Sequence, residues 1–94
     1  MEVKVITVTG DVSGMNQCLI CDSVNPIGLT LLRAATGTCC GYYIKNFGSA
    51  DVTVTAKLND FIDGSAAVTL KQYESIFILD YKTNNWAIMS DNHI

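Results

Sequence analysis

Positive charge is scarce in this 94-residue chain and is nowhere gathered. Its six basic residues, Lys4, Arg33, Lys45, Lys57, Lys71 and Lys82, stand singly, and the formal net charge is -3 with a pI near 4.7. Affinity for nucleic acid comes largely from Lys and Arg contacts to phosphate, so the balance argues against a nucleic-acid partner. No apolar run approaches the roughly 20 residues that cross a bilayer as a helix, which argues against a membrane partner. The opening "MEVKVITVTGD" carries an acid at Glu2 and alternates, unlike a secretory signal, so synthesis and folding in a cytoplasm are expected.

Catalytic groups are as thin. The one histidine, His93, is penultimate, where chain ends are poorly tied down. The carboxylates Asp60, Asp63, Glu74 and Asp80 lie beside turns, where such groups commonly serve the backbone. No serine sits in a G-x-S-x-G elbow, and no glycine-rich phosphate loop is present. Asp60 and Asp63 would hold calcium only with help from loop carbonyls, since two acids in one turn make a thin ligand set. The sequence points to no enzyme and no cofactor.

Four cysteines form the one conspicuous constellation: Cys18-x-x-Cys21 and Cys39-Cys40. A zinc site takes two pairs that each fold round a turn, and an adjacent pair serves one tetrahedral site poorly. On strands, Cys18 and Cys21 point to opposite faces, as do Cys39 and Cys40. A redox C-x-x-C needs a following helix N-terminus, and "DSVNP" after "CLIC" cannot supply one. Two readings stay open: buried reduced thiols used as small apolar residues, or disulfides within the chain or between subunits.

What the sequence has in quantity is period two. "EVKVITVT", "QCLICDS", "IGLTLLRA", "CCGYYIKNFG", "DVTVTAK", "SAAVTLK", "YESIFILD" and "NWAIMS" read as strands, separated by turn residues such as "GDVSG", "NP" and "YKTNN". In the third, Ile27, Leu29 and Leu31 share one side; in the fifth, Val52, Val54 and Ala56 face inward. No window carries a helical stripe. The expected fold is all-β, one domain over 1–94: a small antiparallel β-sandwich or jelly-roll-like barrel of about eight short strands.

One stretch breaks the alternation. Ile76, Phe77, Ile78 and Leu79 put two large apolar residues on each face of their strand. Burial of each is worth about 1.5–3 kcal/mol, so leaving a pair in water forgoes several kcal/mol and makes a sticky surface. So small a chain has few spare residues to act as a cover, and the four form a candidate subunit interface of a homo-oligomer; a covering loop is the alternative. Trp86, after "TNN", is expected to pin its strand from the core, with sugar stacking as the alternative role.

The order of motifs from Tyr42 to Met89, "YYIKNFGSADVTVTAKLNDFIDGSAAVTLKQYESIFILDYKTNNWAIM", resembles a segment of bacteriophage tail fibres, tailspikes and related virion proteins. In that segment an aromatic-Ile-Lys-Asn-x-Gly-Ser strand is followed by a "VTVT" strand, an "IDGS" turn, a "VTL" strand, a "YES" strand and a closing apolar strand. "GLTLLRAATGT" is similar to its preceding element, without the usual proline, and "DYKTNNW" stands where "SDGTNW" is usual. The resemblance implies a trimeric β module in the virion. Without a shaft repeat or catalytic β-helix, a chain of this length is expected to be a capsid cement or decoration protein, or a neck, collar or tail accessory protein. Its partners would then be its own copies and a major capsid or tail protein. The alternative is a receptor-binding module of a tail fibre or tail tip that meets host surfaces or glycans.

Overall fold

The strand-forming segments of the sequence alternate between two sheets. A computed structural model describes residues 2–14, 16–34 and 41–92. These hold ten strands: β1 (Glu2–Ile6), β2 (Gly10–Asp11), β3 (Gln17–Cys21), β4 (Ile27–Thr30), β5 (Gly41–Asn46), β6 (Val52–Thr55), β7 (Phe61–Ile62), β8 (Ala67–Leu70), β9 (Ser75–Lys82) and β10 (Asn85–Asn92). Odd-numbered strands and β10 build a six-stranded sheet in the order β1-β3-β5-β9-β10-β7; β2-β4-β6-β8 build a four-stranded one. The described residues contain no helix.

All-β character holds, and all eight expected strands are found. The exclusively antiparallel pairing does not hold, because both sheets are mixed. β1, β3 and β5 run parallel, as do β2, β4 and β6, and as do β7 and β10. Only β5 with β9, β9 with β10, and β6 with β8 are antiparallel. The cause is the crossing pattern: from β1 to β6 each connection leaves one sheet for the other, and successive strands of one sheet re-enter it in the same direction; β8, reached across β7, returns antiparallel to β6. β1-β2, β3-β4 and β5-β6 therefore stack like coils of a short solenoid.

Inward alternation packs the two sheets on one core. From the smaller sheet come Ile27, Leu29, Val52, Val54 and Leu70; from the larger, Leu19, Tyr42, Ile44, Ile76 and Ile78. Val52, Val54 and Ala56 face inward, and so do Ile27, Leu29 and Leu31, as their spacing requires. Trp86 is core, 3% exposed, its ring tilted against Tyr42 at 5.8 Å.

The "IDGS" turn is a two-residue hairpin loop. Asp63 and Gly64 take φ of 48° and 84°, and Ile62 and Ser65 exchange backbone hydrogen bonds of 2.7 and 2.9 Å. That is the type I′ pattern, for which Asp-Gly is a favoured pair. Asp63 also steadies β10, donating its N–H to Trp86 O at 3.0 Å and accepting Ile88 N at 3.1 Å through Oδ1.

Candidate functional site

β9 is the strand in which the apolar run falls, and its pleat divides the four candidate interface residues. Ile76 and Ile78 point into the core at 1% and 0% exposure, so they cannot touch a partner. Phe77 and Leu79 point the other way and are only partly buried. The register then shows what surrounds them. Val3, Cys18, Tyr43 and Phe77 occupy successive strands of one row; Val5 and Ile20 begin another that turns polar at Lys45 and Ser75; Leu79 stands opposite Ala87.

The outer face of the six-stranded sheet is therefore apolar across most of its width. Val3 is 64% exposed, Val5 66% and Tyr43 46%. Tyr43 and Phe77 stack with centroids 4.2 Å apart and planes 19° from parallel. Gly41 lets Phe77 and Leu79 lie down on the sheet, since a Cβ there would stand 2.7 Å from Leu79 Cδ2. The other sheet's outer face is unlike this one: Thr30, Thr53, Thr55 and Thr69 line it, side chains at home in water. One face of the molecule is built for solvent; the other carries contiguous apolar surface of the kind that marks interaction sites.

The cysteines divide as the strand period requires. Cys21 is buried in the core and Cys18 lies partly exposed on the apolar face; both are free thiols. Burial pushes the Cys21 thiol up to about 11, so it stays protonated and unreactive at neutral pH. Cys39 and Cys40 lie outside the described residues, as does His93.

The two acids of the 60–63 turn engage different parts of the chain. Asp60 is buried, takes Arg33 Nη1 at 3.0 Å and accepts the Ala34 N–H at 2.8 Å. Asp63 serves β10. Among the described residues no group of three His, Cys, Asp or Glu side chains is placed to hold a metal.

Val3, Val5, Ile20 and Tyr43 are the residues that sequence reasoning left out of the candidate surface. Their signal in sequence is misleading, because in "EVKVI" the phase of Val3 and Val5, set against Glu2 and Lys4, reads as the core face, whereas Val3 and Val5 are exposed. The chain matches no protein-family model, no curated protein and no solved structure.

Proposed function

We propose that this chain is a virion structural protein that works by assembly, using the outer face of its six-stranded sheet to pack against neighbouring subunits. The observation that carries the reading is the contrast between the two outer faces, apolar on one sheet and threonine-lined on the other. Burying Val3, Val5, Tyr43, Phe77 and Leu79 against another subunit contributes about 25 cal/mol for each Å² of apolar surface removed from water.

The kind of assembly comes from the resemblance of Tyr42 to Met89 to phage appendage modules, whose expected form is a trimeric sandwich or jelly-roll-like unit. In that reading the protein is made in the host cytoplasm and ends in the particle. It acts as a small capsid cement or decoration protein, or as a neck, collar or tail accessory protein. A major capsid or tail protein is its second partner. A protein that binds only the assembled shell stabilises it by mass action.

Two assays test the reading. Purified protein mixed with empty phage shells should co-sediment and raise the temperature at which the shells open. A protein that stays in the supernatant with every shell and tail fraction contradicts a virion role.

A further inference from the structure

Between β1 and β2, the end strands of the two sheets, lies a cavity of about 100 Å³. The sequence explains why it is open. The coil formed by β3 and β4 fills its inner positions with Leu19 and Leu29, both buried. Beside them in register, the first coil has Lys4 and Gly10. A Cβ added at Gly10 would meet nothing within 4 Å. Ile6 and Val12 complete the apolar wall.

Two polar groups that line the cavity are under-satisfied. Lys4 Nζ reaches only Ser13 O and Ser13 Oγ, each at 3.4 Å, and among the described residues it forms no ion pair. Contacts of that length are weak hydrogen bonds. Gln17 is 3% exposed, and its Oε1 is buried without a hydrogen-bond partner. An oxygen in that state is costly, and such groups are rare in folded chains.

The Gln17 amide is held in place from its nitrogen side. Nε2 donates to Glu2 Oε1 at 3.2 Å, which keeps a carboxylate next to the amide. Gly14, at φ 82°, makes room for it, since a Cβ there would stand 2.5 Å from Nε2. The loop that carries Gly14 is tied down at both ends: Val12 N donates to Thr30 O at 2.8 Å, and the Tyr42 hydroxyl donates to Gly14 O. A cation, an orphaned acceptor beside a carboxylate, and an apolar wall thus surround one small cavity that is formed before any ligand arrives.

We propose that this cavity binds a free α-amino acid with a short branched aliphatic side chain. Its carboxylate meets the Lys4 ammonium, and its ammonium supplies the donor that Gln17 Oε1 lacks, with the Glu2 carboxylate near enough to favour the positive charge. Its side chain lies against Ile6, Val12, Leu19 and Leu29. Size agrees: an apolar cavity of about 150 Å³ takes benzene, so one of about 100 Å³ takes roughly four carbons, the Cα and side chain of valine. A simple fatty acid leaves the Gln17 oxygen without a donor, and a simple amine leaves Lys4 without an anion. The site is independent of the assembly reading, because Lys4 lies on the inner side of β1, whereas the exposed Val3 and Val5 lie on the outer.

The test is titration of L-valine into 15N-labelled protein, with a dissociation constant on the order of 1 mM expected for so few atoms. Amide shifts should concentrate at residues 4–6, 10–13 and 17–19. Two analogues divide the recognition: 3-methylbutyrate lacks the ammonium and isobutylamine lacks the carboxylate, and each should bind about tenfold more weakly than valine. Lys4→Met, which keeps the stem and removes the charge, should weaken valine binding about tenfold and leave the weak binding of isobutylamine unchanged. Gly10→Leu fills the cavity and should abolish binding with the circular dichroism of the parent. Absence of any valine shift overturns the proposal, as do shifts centred elsewhere, an analogue that binds as tightly as valine, or unchanged binding by Lys4→Met. Should Gly10→Leu fail to fold, the analogues and Lys4→Met still decide.

Discussion

At the scale of single residues, buried polar groups in this chain hold distant segments together. The sequence places Asp60 beside a turn, where it is expected to serve the backbone, and so it does. The backbone it serves is at Ala34, 26 positions away, together with the Arg33 guanidinium. Turn chemistry is local and readable; a partner across the molecule is not. Asp60→Ala leaves the Ala34 N–H without its acceptor and should destabilise the protein by about 1–3 kcal/mol in urea unfolding. Cys21 gives a pH signature. Its thiol loses a proton near 9.0 when unfolded and near 11 when folded, so between those values the folded state holds more protons than the unfolded state. Its contribution to stability is complete below pH 9 and is lost as pH rises towards 11. The fall in unfolding temperature from pH 8 to 11 should be shallower in Cys21→Ala than in the parent; equal slopes would remove the thiol from the account.

Strands make the argument about faces. Alternation in "DVTVT" and "IGLTL" is legible because only one phase is apolar, and the buried residues follow it. "SIFIL" is apolar on both phases, and the choice of inner face is made by neighbours: Ile76 and Ile78 meet the core formed with Ile44 and Tyr42. β1 is harder still, because its edge position exposes Val3 and Val5 while Lys4 and Ile6 point inward. The two phases of β9 should respond differently to charge. Ile78→Asp places an unpaired carboxylate in the core and should prevent folding or cost several kcal/mol. Phe77→Asp should leave a folded, soluble protein with native circular dichroism and impair only association. Equal damage from both would mean that the outer face is as integral to the fold as the core. The hairpin turn is a third case: Gly64→Ala forces a side chain onto φ 84° and should lower stability by about 1 kcal/mol, read as a shift of the urea midpoint.

For the whole molecule, strand existence was legible and strand pairing was not. Short Gly- and Asp-rich connections suggest hairpins within one sheet. Here the connections before β9 cross between sheets instead; those among β1–β6 make neighbours parallel and place partners such as Gln17 and Tyr42 far apart in sequence. Loop-closure entropy precedes most of these contacts, so folding should take milliseconds to seconds in stopped-flow refolding, as in other domains dominated by non-local pairing. The same topology collects apolar residues from β1, β3, β5 and β9 onto one outer surface, a patch that no single stretch of sequence displays. We propose that this surface is a subunit interface, and sedimentation equilibrium on the parent protein and Phe77→Asp decides it. A trimer is expected for the parent and a folded monomer for the variant. A monomeric parent, or a variant that remains the same oligomer, would contradict it.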